Sequence, residues 1–213
     1  LWLSRDLEWW VAVGILIAAI VIRIIVVMSM SRGWFFTHDD WHYLTRDGWG
    51  NVFDSRNGNI TGMASAHFLA VRDLAGLDYW PLYPLLVAFA WPLVGLAAWY
   101  VWRRHDVRPA IAGAAAALVV WMGSASFMQV GHSGAAYSLA AALVAIQWDR
   151  RPPEPRNLAI AIALSVFAAV ASTIGVIVAC ARVVAGIAFR AWTGLIAASI
   201  SIAVFLGLRV IVE

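Results

Sequence analysis

Trp9-Trp10-Val11-Ala12-Val13-Gly14-Ile15-Leu16-Ile17-Ala18-Ala19-Ile20-Val21-Ile22-Arg23-Ile24-Ile25-Val26-Val27-Met28-Ser29-Met30 decides the fold class. A helix needs roughly 20 apolar residues to cross the hydrocarbon core, and this run supplies them with a single charge. The tryptophan pair at its start suits the headgroup layer, where an amphipathic ring is apolar on one side and wet on the other. Arg23 admits two readings. Lying toward the distal end, it can snorkel to the interface; alternatively it faces a bundle interior and pairs with an anionic group.

The whole chain has the same character. It is 213 residues long, 63% hydrophobic and only 13% charged, with a mean hydropathy of +0.80. Soluble domains are nearer half apolar and a quarter charged, so the chain is an integral membrane protein. All 15 basic residues are arginine, and the formal charge of +3 is scattered over short loops. No basic stripe of the kind that binds nucleic acid is present. Cys180, the one cysteine, lies in an apolar run, which excludes an internal disulfide and a cysteine-built metal site. No cleavable signal peptide is evident, because the first apolar run is too long for one. Leu1 in place of a Met, and Glu213 directly after an apolar run, are compatible with a segment of a longer protein.

Outward from the first span, the pattern predicts an all-α polytopic membrane protein of five or six spans forming a single transmembrane domain. The expected spans are 9–30, 79–102, 109–128, 131–148, 158–180 and 191–212. Residues 31–78 form the one long loop, with six aspartates, four arginines and a Gly/Asn-rich middle. Within it, Met63–Ala75 reads as an amphipathic interfacial helix with Met63, His67, Ala70 and Leu74 on its apolar face and Gly76 as its C-cap. Pro81, Pro84 and Pro92 punctuate the second span, where neighbouring helices can absorb an irregular start or kink. The turn 103–108 and the connector 149–156 are arginine-rich, and with Arg5 they carry seven arginines, whereas the turn 124–134 carries none. The positive-inside rule then places the N-terminus in the cytoplasm and loop 31–78 outside, with Arg182 and Arg190 running against it. The expected location is a bacterial plasma membrane.

The chemistry concentrates just after the first span, in Phe35-Phe36-Thr37-His38-Asp39-Asp40-Trp41-His42-Tyr43-Leu44. Two adjacent carboxylates at a membrane surface are costly unless they bind a cation or move a proton. A solvated acidic loop is the plain alternative. Further along come Leu77-Asp78-Tyr79-Trp80-Pro81-Leu82-Tyr83-Pro84 leading into the second span, and the outer turn Ser124–Gly134 containing Gln129 and His132. An inside-start span, an outer loop with an early acidic pair in aromatic company, an interfacial helix and this proline-rich lead-in together resemble the N-terminal part of GT-C-type membrane glycosyltransferases. The resemblance covers about residues 9–150.

It implies transfer of a sugar from a polyprenyl-phosphate donor to a glycan or lipid acceptor outside the cytoplasm, within the lipid bilayer. It implies Asp39 as general base, with Asp40 orienting it or holding a divalent cation, Mg²⁺ or Mn²⁺, to which hard carboxylate oxygens are suited. His38 and His42 flank the pair and could tune it or complete a metal site. Arg56 and Arg72 are candidates for the lipid phosphate, because the guanidinium fork matches it; pairing with Asp54 and Asp73 is the competing reading. Gln129 and His132 complete the expected substrate-binding set. Two other function classes remain open: a non-catalytic membrane subunit that scaffolds partner subunits, and a transporter. Against the transporter stand the absence of acidic residues within the spans and of a repeated pair of broken segments.

Overall fold

In a computed structural model of the chain, the described residues are 5–32, 48–49, 52–53, 55–56, 59–60, 62–76, 80–122 and 130–212, with side chains at 5, 55–56, 59–60, 64, 122, 130–132 and 212 excepted. They form an all-helical protein: α1 (Arg5–Met30), α2 (Gly62–Ala75), α3 (Leu82–Arg104), α4 (Pro109–Met122), α5 (Val130–Ile146), α6 (Pro155–Ala171), α7 (Thr173–Phe189) and α8 (Trp192–Val212). The only other regular element among them is a two-stranded antiparallel ribbon, Ser55–Arg56 with Asn59–Ile60.

Among the described residues, three helices are long and apolar enough to cross a membrane: α1 over Asp6–Met30, α3 over Leu82–Arg104 and α8 over Trp192–Ile211. The remaining apolar helices are shorter and pack alongside. Within the expected fifth span, 158–180, α6 ends at Ala171 and α7 restarts at Thr173. Ser172 between them is extended, at φ −165° and ψ 152°, and its hydroxyl accepts a hydrogen bond from the Ile174 amide as an N-cap. Gly175 makes the reversal possible: a Cβ there would stand 2.0 Å from the Ala168 carbonyl oxygen. The chain therefore folds back, and Arg182 of α7 meets Ser165 of α6.

Side-chain contacts fix the helix directions. Arg108, at the start of α4, pairs with Glu8 near the start of α1; Gly113 meets Ala12, and Arg23 reaches Val120, so α1 and α4 run parallel. Gly95 meets Ala116 and Val120, setting α3 antiparallel to α4. Tyr137 bonds to Leu86, and Val144 shares a groove wall with Tyr100, so α5 runs parallel to α3. Ser138 donates to the Ala168 carbonyl at 2.7 Å, bringing the early part of α5 to the late part of α6. Gly186 against Leu195 closes α7 onto α8. The seams are built from small residues, Gly95, Gly113, Gly175 and Gly186 among them, which let the helix backbones approach closely.

As a result, the turn 103–108, the connector 149–154 and Arg190 lie at one end with the start of α1. The opposite end holds Ser31, Trp80, the start of α5, Ser172 and helix α2.

Two arginines are buried in the helical body. Arg23, 1% exposed, donates to the Val120 carbonyl at 2.8 Å, in the last turn of α4. Carbonyls there have no partner within their own helix and carry the negative end of the helix dipole. The interior-facing reading of Arg23 therefore holds, with a carbonyl at a helix terminus among its partners. Arg182 forms a two-pronged ion pair with Asp149 and donates to Ser165 Oγ at 2.7 Å.

Candidate functional site

Helix α2 caps the end opposite the arginine-rich turns. Its sequence is rich in good helix formers, and it stops at Gly76, whose φ of +62° is the left-handed conformation that closes a helix; the Gly76 amide bonds back to the Arg72 carbonyl at 2.9 Å. Phe68, Leu69 and Val71 are buried, and Phe68 packs on Tyr83 of α3 with ring centres 5.5 Å apart. Burying Phe68 and Leu69 contributes roughly 1.5–3 kcal/mol each. The buried arc differs from the expected one: Ser65 is fully enclosed, whereas Leu74 is 77% exposed. An interfacial helix with one face in lipid buries a single stripe. This helix touches α3, α5 and α6 and so buries a wider arc.

His67 points inward. Its Nδ1 lies 3.2 Å from Ser133 Oγ in the first turn of α5, and its ring stands edge-on to Tyr137 at 5.1 Å. The Tyr137 hydroxyl in turn donates to the Leu86 carbonyl at 3.1 Å. Burial pushes the His67 imidazole down to about 4, so it is neutral at neutral pH. This chain ties α2 to α5 and α3 as a hydrogen-bonded packing contact. His67 was expected to be packed; Ser133 as its partner was not, and the cluster of small polar residues at 124–134 was the only signal for it.

On the outer face, Arg72 Nε bonds Asp73 Oδ1 at 3.0 Å, and the Trp49 indole donates to Asp73 Oδ2 at 2.7 Å. Those two hydrogen bonds, Trp49 first and Arg72 second, hold the Asp73 carboxyl below its ordinary range. Arg72 thus adopts the pairing that competes with phosphate binding. Arg56 lies in the first strand of the ribbon, opposite Asn59, and His132 lies in the first turn of α5 next to Ser133; both side chains fall outside the description. His38, Asp39, Asp40, His42 and Gln129 lie outside the described residues altogether. The flanks of the acidic segment are described. Arg32 stacks on Trp80 at 5.4 Å, and Trp49 is anchored on α2 by its bond to Asp73. Both are at the α2 end. Among the described residues, no group of three or more His, Cys, Asp or Glu side chains could hold a metal ion.

Two apolar hollows lie in the same region. One, of about 180 Å³, sits under the start of α2 between Phe53, Met63, Phe167 and Val170. The other, a groove of about 480 Å³, runs between α3, α5 and α6 past Leu93, Leu96, Tyr100, Ala140 and Val144 to Phe167. Phe167 borders both, so the apolar lining continues from the helical flank to beneath the cap.

The chain matches no protein-family model, no curated protein and no solved structure.

Proposed function

We propose that this chain is the membrane core of a GT-C-type glycosyltransferase that takes its sugar from a polyprenyl-phosphate donor. The observation that carries the reading is topological. In sequence, the acidic pair Asp39-Asp40 falls between the end of a long apolar helix and a helix that caps the same end of the molecule; an apolar groove suited to a lipid chain runs along the helical flank.

In this reading α1, α3 and α8 cross the bilayer, α4 to α7 pack alongside them in alternating directions, and the arginine-rich turns lie in the cytoplasm with α2 outside. The helical reversal at Ser172 supports that orientation. It puts Arg190 beside the connector 149–153, so that arginine no longer opposes the positive-inside rule.

Asp39 accepts the proton of the acceptor hydroxyl. The freed oxygen bonds to the anomeric carbon as the bond from that carbon to the phosphate oxygen breaks, and polyprenyl phosphate departs. Asp40 orients Asp39, or would hold a Mg²⁺ or Mn²⁺ whose charge would offset that of the leaving phosphate. His38, His42, Arg56, Arg72, Gln129 and His132 line the substrates, Arg72 by exchanging Asp73 for phosphate.

The test is release of polyprenyl phosphate from a panel of polyprenyl-phosphate-linked sugars by membranes carrying the full natural chain. Asp39→Asn keeps shape and hydrogen bonding but cannot take a proton, so turnover is expected to fall about 10²–10⁴-fold with donor binding retained. Undiminished transfer by that variant would move the base elsewhere. A folded wild-type chain that turns over no donor would favour the non-catalytic subunit. Loss of activity on chelation would assign Asp40 to a metal.

A further inference from the structure

The end of the molecule remote from α2 carries a further hollow. It has a volume of about 560 Å³ and is walled by the connector between α5 and α6 and by the link between α7 and α8. Arg150, Arg151 and Arg190 line it together with Phe189 and Trp192. Its one carboxylate, Asp149, is already held by Arg182 from within the bundle. Three arginines thus line one cavity whose one carboxylate is already engaged, an arrangement that a bound anion relieves.

Three features point to a phosphate at a membrane surface. Phe189 and Trp192 are 71% and 58% exposed at the ends of apolar helices, where such rings mark the headgroup layer. Arg151 is stacked on Trp148 at 4.0 Å, which holds it in place, while Arg150 and Arg190 are solvent-exposed. The backbone of Arg190 sits at φ 54° and ψ 36°, the left-handed C-cap position normally filled by glycine. An arginine held there costs conformational energy that glycine would not, which is what a residue retained for its side chain looks like.

We infer that this cavity binds the phosphate of an anionic phospholipid headgroup, with Arg150, Arg151 and Arg190 as donors and Phe189 and Trp192 bordering the acyl region. The site is separate from the sugar-transfer reading and independent of it. The simpler explanation for arginines at this end is topogenesis, which needs only charge in the loops and no particular residue.

Native mass spectrometry of the purified full chain separates the two, with phosphatidylglycerol and phosphatidylcholine as probes. Wild type is expected to retain phosphatidylglycerol preferentially. Arg190→Gly removes the charge and also relieves the backbone, so it should fold at least as well as wild type. Arg190→Gly and Arg150→Gln should each weaken that retention roughly fivefold. Arg103→Gln removes an equal charge from the other turn at the same end and should leave retention unchanged. Equal retention of the two lipids by wild type, or equal losses in all three variants, would overturn the site. Displacement of the lipid by millimolar glycerol phosphate or inorganic phosphate would reassign the cavity to a soluble anion and overturn the lipid assignment.

Discussion

Arg23 and Arg182 meet the same problem, a guanidinium inside an apolar helix, with different partners. Arg23 uses a carbonyl at a helix end, and Arg182 uses a carboxylate plus a hydroxyl. Arg182 is 5% exposed, so deleting either partner strands the other in a poorly solvated place. Arg182→Met is expected to destabilise by roughly 3–5 kcal/mol, and combining it with Asp149→Leu should recover most of that loss. Thermal unfolding of the single and double variants in detergent tests this, and additive losses would mean the pair is not coupled. His67 makes the second prediction at this scale. Unfolded, its imidazole takes a proton below about 6.5, whereas in the folded protein it resists protonation until about 4. The unfolded state therefore binds more protons in that window, and stability falls as pH drops from about 6.5 to about 4, by on the order of 3 kcal/mol. His67→Phe should flatten this slope in melting temperature against pH; an unchanged slope would place the sensitive group elsewhere. Of these residues, Arg23 was legible as a choice between two positions, because burial depends on the helix that arrives beside it. The Arg182–Asp149 pair was not legible, since it exists only once α7 folds back.

Helix boundaries divide in the same way. Gly76 and the turn at 103–108 were legible because their residue types are locally specific, and the structure ends α2 and α3 there. The break at Ser172 was not. Residues 158–180 read as one continuous apolar run with no proline, and the signal for reversal is only a Ser-Thr step followed by Gly175. That glycine carries a prediction. With Ala168 backbone in the way, Gly175→Ala has no rotamer by which to escape, so α6 and α7 must separate. A loss of roughly 1–3 kcal/mol is expected, together with weaker retention of Arg182 against Ser165. Gly14→Ala, where an added Cβ meets nothing within 4 Å, is the matched control in the same thermal assay. Similar melting of both variants would show that the hairpin is looser than drawn. The amphipathic face of α2 was misjudged for a related reason: periodicity finds the stripe facing one surface, and this helix is enclosed by three elements.

For the whole molecule, the helical character and the presence of helices apolar enough to cross a membrane follow from the length of the apolar runs, while the direction of the last helices depends on one unforeseen turn. Single-cysteine labelling decides that direction. In a Cys180→Ser background, Arg190→Cys and Arg104→Cys are expected to react with a membrane-impermeant thiol reagent from the same side, and Asp73→Cys from the opposite side. Labelling of Arg190→Cys from the Asp73 side would restore a continuous span over 158–180 and refute the reversal. The acidic pair stands out in the sequence because adjacent carboxylates beside an apolar run are unusual, and it lies outside the described residues.

The hydrogen bond from Arg23 to Val120 also has a consequence in time. Its two ends are separated by 97 positions along the chain, so a ribosome finishes the donor long before the acceptor. During that interval Arg23 lacks this acceptor, and insertion scales penalise a guanidinium near mid-membrane by roughly 2.5–3.5 kcal/mol. Assembly then has a built-in waiting step: α1 settles fully only when α4 has been translated and its last turn is in place. α1, made before α4, is thus finished only with it.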